Sequence, residues 1–176
     1  MTQAGGPVVS LTTFGKRTDT VHLAIESIGR GRALPSRIIL WIDDQGRFDS
    51  PPQAIRRLQR RGLEIKLCTN YGPHTKYYPY VASEEAFPTA LVTADDDVLY
   101  PRYWLQKLVE ALREYPETVN CYWAHVISVR AEGISEYANW KLCGSTSPSV
   151  RHLATCVYGV IYPPAFLSLI HIYTTS

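Results

Sequence analysis

Residues Leu91 to Pro101 read LVTADDDVLYP, and this stretch decides the fold. A short apolar and β-branched run comes first, three consecutive aspartates follow it, and a proline comes soon after. The pattern predicts a buried strand that ends at the carboxylates and a helix that begins at the proline. Two unit charges about 4 Å apart repel by ~4 kcal/mol at an effective dielectric of about 20. We therefore expect a positive charge to lie against the aspartates.

The composition is that of an ordinary soluble globular protein. The chain has 176 residues, of which 45% are hydrophobic and 19% are charged, and this is enough for one domain with a buried core. A formal net charge of +2 does not favour nucleic acid or an acidic membrane as the main partner. Residues 1–10 lack the features of a signal peptide, and no apolar run reaches the ~20 residues that span a bilayer. The sequence therefore predicts a cytoplasmic protein without a transmembrane segment.

Two other features of the composition indicate no site. The four cysteines include no CxxC pair, so neither a zinc ribbon nor a thioredoxin-type site is predicted, and we expect free thiols. The basic run IRRLQRRGL, residues 55–63, has apolar residues at helical spacing. This spacing favours a helix with a solvated basic face.

Predicted strands and helices alternate along the chain. Strands are predicted over residues 7–13, 37–42, 63–69 and 90–93, with a possible fifth over residues 119–128. Helices are predicted from Val21 after a cap at Thr18 or Asp19, from Pro51 or Pro52 to Gly62, and from Pro101 onward. The alternation predicts an α/β fold whose mostly parallel central sheet is flanked by helices on both faces.

The polar segments fall where such a sheet binds its ligands, at the carboxyl ends of the strands. In an extended segment, Asp95 and Asp97 point to one side and Asp96 to the other. Magnesium or manganese is typically held by one or two carboxylates, with phosphate oxygens and water completing the shell. The alternative is that one aspartate caps the next helix and the others are solvated. Because the chain has neither a GxGxxG nor a GxxxxGK[ST] motif, metal and side chains would have to hold a phosphorylated ligand.

Five motifs between about Val8 and Pro164 together resemble GT-A-fold glycosyltransferases, in particular a bacterial group related to family 2. They are VVSLTTFGKR, RIILWIDD, GPHTKYYP, LVTADDDVLYP and GVIYPP. The resemblance implies a Rossmann-like GT-A sheet and a bound Mn²⁺ or Mg²⁺. It also implies transfer of a sugar from a nucleotide-diphosphate sugar to a glycan or lipid-linked acceptor, as in polysaccharide biosynthesis.

The resemblance assigns roles to residues at the carboxyl ends of the strands. Thr12, Thr13 and Arg17 would face the nucleotide, and Asp43 or Asp44 would approach the base or ribose. Asp95 and Asp96 would lie in the nucleotide-sugar site, and Asp95 and Asp97 would be the metal ligands. Trp123, His125, Trp140 and Lys141 would lie on the acceptor side.

Simpler roles stay open for several of these residues. Arg17 could lie on the surface at a helix start, and Asp43 and Asp44 could belong to a turn. Lys76, a lysine among aromatic residues, suits a diphosphate. Alternatively, Lys76 pairs with Asp95 or Asp97 while the tyrosines around it pack as a lid.

The resemblance breaks down toward the C-terminus. The residues Cys156-Val157-Tyr158-Gly159 stand where the family has small residues, and the later acidic pair that would supply a general base is missing. The segment LSLIHI, which begins at Leu167, resembles a translated sequencing adaptor. We therefore expect one domain over residues 1–166, a non-native tail over residues 167–176, and an incomplete enzyme that binds donor but transfers little.

Two other functions are compatible with the sequence. A nucleotidyltransferase also uses a parallel sheet, carboxylates and a metal, but normally has a glycine-rich basic loop after its first strand. The loop TTFGKR has one glycine and two basic residues, so the match is partial. The second alternative is a non-catalytic fragment that binds a nucleotide sugar.

Overall fold

The computed structural model describes the backbone of residues 1–174 and the side chains of residues 1–169. Its strands are β1 (Val8–Thr13), β2 (Arg37–Ile42), β3 (Leu63–Leu67), β4 (Leu91–Ala94), β5 (Asn120–Cys121), β6 (Ala124–Val126), β7 (Val129–Arg130), β8 (Gly133–Ile134), β9 (Lys141–Leu142), β10 (His152–Ala154) and β11 (Val160–Tyr162). Its helices are α1 (Val21–Gly29), α2 (Gln45–Asp49), α3 (Gln53–Gln59), α4 (Tyr78–Ser83), α5 (Trp104–Glu114) and α6 (Pro164–Thr174). Among these described helices, none is long and apolar enough to cross a membrane. Most side chains of the tail predicted over residues 167–176 lie outside the described residues.

A six-stranded sheet lies at the centre, with strand order β3-β2-β1-β4-β11-β5. The strands β1 to β4 are parallel to one another, and β11 runs antiparallel to both of its neighbours. Strands β1, β2 and β4 are nearly continuous buried runs, as expected where both faces of a parallel sheet are covered. The structure confirms the predicted α/β fold with a mostly parallel central sheet.

Each face of the sheet has its own hydrophobic core, because successive residues of a strand point to opposite faces. In β2, Leu40 packs on the face covered by α1, α3 and α5, whereas Ile39 and Trp41 pack on the other face. That second face is covered by Tyr80 of α4 and Leu167 of α6. The helices therefore lie on both faces, as predicted.

Two local predictions were wrong. Neither Thr18 nor Asp19 caps α1, because both belong to a 3-10 turn over Gly15–Asp19 and the N-cap residue is Thr20. The possible fifth strand over residues 119–128 divides into β5, in the central sheet, and β6, in a separate three-stranded sheet with β9 and β10. The chain turns away between them at Tyr122, whose hydroxyl donates to the carbonyl of Trp104 at 2.9 Å.

Leu167 provides a test of the hydrophobic core on the face of the sheet that α4 and α6 cover. Its side chain is fully buried and packs in the cluster that contains Tyr80 and Leu91, whereas the Leu169 side chain is 53% exposed. We expect Leu167→Ala to lower the free energy of unfolding by about 2–4 kcal/mol, because it removes buried methyl groups and leaves a cavity. Urea denaturation measures this change, with Leu169→Ala as the near-neutral control. Equal effects of the two substitutions would contradict the packing of α6 on the sheet.

Candidate functional site

The three aspartates lie at the edge of the sheet where the carboxyl ends of β1, β2 and β4 meet. Strand β1 is paired in parallel with both β2 and β4, so the segments that follow these three strands are neighbours. The 3-10 turn Gly15–Asp19 follows β1, and a second 3-10 turn, Gly72–Lys76, lies against β1. The chain bends at Asp96 and Asp97 directly after β4. The predicted polar segments therefore do come together at one edge.

Asp96 is the buried member of the three aspartates, with 7% of its surface exposed. Its carboxylate accepts a hydrogen bond from the Thr13 hydroxyl at 2.8 Å and another from Arg17 Nη1 at 3.1 Å. A buried carboxylate is stable in a protein only when it is paired and hydrogen-bonded, and both conditions are met here. Asp96 thus joins the end of β4 to the end of β1 and fixes the position of Arg17.

Asp97 is the exposed member, and its side chain is 55% exposed. Its carboxylate lies 3.3 Å from Arg17 Nη2, so one guanidinium bridges Asp96 and Asp97. This arrangement supplies the positive charge that the sequence led us to expect. Because the chain bends, Asp96 and Asp97 share a cation, which the alternation of an extended segment does not anticipate.

Asp95 is held from three directions. Its Oδ1 accepts a hydrogen bond from Lys76 Nζ, and its Oδ2 accepts one from the backbone N–H of Tyr158 at 3.2 Å. Its own N–H donates to the Tyr100 hydroxyl at 2.6 Å. Burial raises the pKa of Tyr100 well above its usual value, so this phenol stays protonated at neutral pH.

The Lys76 pair with Asp95 is one of the two alternatives that the sequence left open for this lysine. The Ser10 hydroxyl donates to the Lys76 carbonyl at 2.6 Å, and the indole N–H of Trp41 donates to the Ser10 oxygen at 2.9 Å. These two bonds fix the backbone of the lysine against β1 and β2. The ammonium group therefore lies at the aspartates because of bonds made by the sheet.

Three other predicted site residues, Thr12, Asp43 and Asp44, lie at the same edge. In the described hydrogen bonds and ion pairs, none of them contacts Asp95, Asp96 or Asp97. Thr12 donates to the carbonyl of Trp41 at 3.3 Å. Asp43 accepts a hydrogen bond from the Asn70 side chain at 2.6 Å. Asp44 accepts the backbone N–H of Arg47 at 2.7 Å and so caps α2. Asp44 thus caps α2, and Asp43 and Asn70 present polar atoms at the same edge of the sheet.

Tyr158 and Gly159 contribute to the site in a way that the sequence reasoning missed. Tyr158 has a φ of +61°, a region that non-glycine residues rarely occupy, and Gly159 has a φ of +111°. The indole N–H of Trp104 donates to the Tyr158 carbonyl at 2.6 Å, and this bond holds the turn in place. The sequence signal was the departure from the family pattern at residues 156–159, which coincides with this turn.

The three ring-bearing residues that the resemblance placed on the acceptor side separate into two groups. The ring of Trp123 lies 6.3 Å from that of Tyr158, beside the aspartates. The rings of His125 and Trp140 instead lie 5.3 Å from the ring of Tyr137. Of these aromatic residues, Trp123 is the one in ring contact with a residue that binds Asp95.

A divalent ion at this edge of the sheet would need ligands from a bound molecule as well as from the protein. Among the described residues, no group of three His, Cys, Asp or Glu side chains is arranged to hold a metal ion by itself. Mg²⁺ typically needs only one or two protein carboxylates when phosphate oxygens and water complete its shell. Asp97, exposed and paired only through one oxygen in the described contacts, is the donor that suits this role.

Comparison with solved structures identifies the fold. No family model matches the sequence, and no curated protein matches it. The chain is similar to 4-diphosphocytidyl-2C-methyl-D-erythritol synthase from Anaerococcus prevotii, with a TM-score of 0.58, 12% identity and coverage of 98% of this chain and 77% of the other. It is also similar to CMP:2-keto-3-deoxy-manno-octonic acid synthetase complexed with CTP, with a TM-score of 0.56, 11% identity and coverage of 96% and 77%.

A third similar structure is S. aureus TarS 1–349, with a TM-score of 0.55 and 14% identity. The match covers 94% of this chain and 49% of the TarS chain, so the chain spans about half the length of that neighbour. At these identities the likeness is one of fold alone. It confirms the predicted architecture, a Rossmann-like, GT-A-like sheet with helices on both faces.

Proposed function

We propose that this protein binds a nucleotide-diphosphate sugar together with Mn²⁺ or Mg²⁺ and transfers the sugar to a hydroxyl group of an acceptor. The observation that carries the proposal is the exposed carboxylate of Asp97 with Arg17 and Lys76 beside the same aspartate cluster. A divalent ion needs a negatively charged ligand such as Asp97, and a diphosphate needs positively charged groups such as Arg17 and Lys76. The fold is compatible with this proposal, since two neighbours are named for products that contain a cytidine nucleotide.

The charged side chains have complementary tasks in this proposal. Without a ligand, Arg17 and Lys76 neutralise the aspartates by ion pairing. With a donor bound, the two cations would contact phosphate oxygens, and Asp97 would hold the metal with Asp95 close by. The metal would neutralise charge on the leaving diphosphate. Thr12, Thr13 and Asp43 lie at the neighbouring strand ends, where the nucleoside would bind.

The proposed transfer makes one bond and breaks one bond. An acceptor hydroxyl oxygen forms a bond to the anomeric carbon, and the bond from that carbon to the phosphate oxygen breaks. The nucleoside diphosphate leaves with the bonding electrons, and the hydroxyl proton passes to a base or to water. Arg17 and Lys76 would stabilise the charge that develops on the departing phosphate.

Calorimetric titration with UDP-, GDP-, CDP- and TDP-sugars, with and without Mn²⁺, tests the proposal. We expect one of these donors to bind in a manner that depends on Mn²⁺, with slow release of free sugar. Exchange of labelled pyrophosphate into a nucleoside triphosphate would instead indicate nucleotidyl transfer. The absence of binding by any donor would overturn the proposal.

The substitution Lys76→Ala separates a ligand-binding role from a structural one. If Lys76 contacts the diphosphate, its loss should weaken binding of the nucleoside diphosphate about tenfold or more, because a hydrogen bond to a charged group is worth about 1.5–3 kcal/mol. Binding of the bare nucleoside should change by less than about twofold, roughly 0.4 kcal/mol. Calorimetry on both ligands measures the difference, and Lys107→Ala, which removes an exposed ion-paired lysine of α5, is the control. Equal losses for both ligands would make Lys76 structural.

A further inference from the structure

A cavity of about 340 Å³ lies next to the aspartates and is walled by aromatic rings. We call it the aromatic pocket, and its lining includes Leu99, Tyr103, Tyr122, Trp123 and Tyr158. Every side chain that lines it, among the described residues, is aliphatic or aromatic. The pocket thus differs from the adjoining edge of the sheet, which is densely charged.

The walls of the aromatic pocket are unusually exposed for such large apolar groups. Leu99 is 70% exposed, and Tyr103, Trp123 and Tyr158 are each at least 40% exposed. Single exposed apolar residues are normal on a protein surface, but a contiguous group around a cavity marks a binding site. The exposed ring faces are therefore available to a ligand.

Asp95 joins the aromatic pocket to the charged part of the site. One oxygen of Asp95 accepts from Lys76, and the other accepts from the N–H of Tyr158, a pocket wall. Tyr100, which also lines the pocket, binds the N–H of Asp95 through its hydroxyl. A ligand in the pocket would consequently lie across Asp95 from a diphosphate held by Lys76.

Three of the six polar side chains that line the pocket, Tyr100, Trp104 and Tyr122, are hydrogen-bonded within the protein. The Tyr122 hydroxyl donates to the Trp104 carbonyl, and the Trp104 indole N–H donates to the Tyr158 carbonyl. Burial raises the pKa of Tyr122 to about 12, so this side chain is uncharged at neutral pH. A ligand would therefore meet ring faces together with the side-chain polar atoms of Tyr103, Trp123 and Tyr158, which have no partner in the described hydrogen bonds. This combination favours an uncharged ring that has an apolar face and carries hydroxyl groups.

We propose that the aromatic pocket binds the acceptor of the transfer, and that this acceptor presents an uncharged pyranose ring stacked on Trp123 and Tyr158. The assignment to the acceptor rests on the proposed function. The size of the pocket supports a single ring, because about 340 Å³ is at the lower end of the roughly 300–1,000 Å³ of ligand pockets. The left-handed backbone of Tyr158 supports it too, since such strained residues concentrate at functional sites.

Binding of simple glycosides to the 176-residue chain, without donor, tests the pocket. Saturation-transfer NMR and tryptophan fluorescence would be recorded with methyl glucoside, methyl galactoside, methyl glucuronide and p-cresol. We expect at least one neutral methyl glycoside to bind at millimolar concentration and methyl glucuronide to bind at least fivefold more weakly. Saturation by p-cresol without competition from either neutral glycoside would overturn the assignment to a sugar ring.

Matched tryptophan variants localise the binding. Trp123→Ala should weaken binding of the neutral glycoside at least fivefold, and Trp123→Phe should retain most of it because a ring face remains. Trp140→Ala is the control, since Trp140 contacts Tyr137 outside the pocket and donates to the Ser135 carbonyl. Equal losses in Trp123→Ala and Trp140→Ala, with both proteins folded by thermal melting, would overturn the proposal.

The outcomes separate this inference from the proposed function. If a neutral glycoside binds at Trp123 but no nucleotide sugar binds with Mn²⁺, the proposed function fails, and with it the assignment to an acceptor. If a nucleotide sugar binds with Mn²⁺ but neither neutral glycoside binds, the pocket inference fails alone.

Discussion

Asp97→Ala should remove Mn²⁺-dependent binding of a nucleoside diphosphate while the protein stays folded. The three aspartates differ in what they can give to a metal. Asp96 is buried and bonded to Thr13 and Arg17, and both oxygens of Asp95 are engaged. Asp97 is 55% exposed and shares a single cation. We therefore expect its loss to weaken binding in the presence of Mn²⁺ at least tenfold, which is about 1.4 kcal/mol.

Calorimetry with a nucleoside diphosphate, with and without Mn²⁺, measures the effect of Asp97→Ala. The unfolding temperature should stay nearly constant, because an exposed ion pair is worth only about 0–1 kcal/mol and one repulsion between carboxylates is removed. Glu132→Ala, which removes an exposed carboxylate between β7 and β8, is the control for net charge. Unchanged Mn²⁺-dependent affinity in Asp97→Ala would show that this residue is not a metal ligand.

Gly159→Ala should cause the largest loss of stability. A Cβ atom at this position would lie 2.8 Å from the Trp104 ring, and the φ of +111° is one that L side chains rarely adopt. Overpacking costs about 1–3 kcal/mol and a strained backbone costs about 1–3 kcal/mol, so we expect a loss of roughly 2–6 kcal/mol. A domain is typically stable by only about 5–15 kcal/mol, so this loss would be a large part of the stability.

Two other glycines separate the causes of this loss. Gly133 has a similar φ of +121° with no atom near its Cβ position, so Gly133→Ala should show the backbone strain alone. Gly144 has open space, and its φ lies outside the left-handed region, so Gly144→Ala should be nearly neutral. Urea denaturation of the three variants measures the series. A loss in Gly159→Ala no larger than that in Gly133→Ala would show that the contact with Trp104 is not tight.

The sequence predicted the parallel part of the fold because local and global signals agree there. The buried runs of β1, β2 and β4 are nearly continuous and rich in apolar and β-branched residues, and each ends at a polar loop. The failures occur where tertiary contacts decide. Strand β11 has only three residues. Its hydrophobic pattern is too short to indicate that it inserts antiparallel between β4 and β5. Strands β5 and β6 are separated by a side-chain bond from Tyr122 to Trp104, which no local pattern encodes.

For the candidate site, the sequence indicated which polar segments lie together. It did not indicate which of their groups are hydrogen-bonded to one another. Charge repulsion alone indicated that cations lie against the aspartates, and Arg17 and Lys76 are there. The sequence could not predict which of the three aspartates is buried. The chain bends after β4, so side chains there do not alternate between two faces as they do in a strand. The N–H of Tyr158 binds Asp95 from 63 positions along the chain, through a backbone conformation that its side chain does not favour. The roles of Asp43, Asp95 and Asp97 toward a donor and a metal stay predictions.

The insertion of β11 has a consequence for the order in which the protein is made and folded. Strand β5 pairs with β11 and not with β4, so neither β5 nor the far side of β4 can be completed until residues 160–162 have been synthesised. A nascent chain that has formed β1 to β4 therefore exposes the edge of β4, the kind of edge on which chains aggregate. The bonds of Asp96 to Thr13 and Arg17 can already exist in that intermediate, whereas the bond of Asp95 to Tyr158 cannot. The charged half of the site should thus form first, and the aromatic half should form last and open first during partial unfolding.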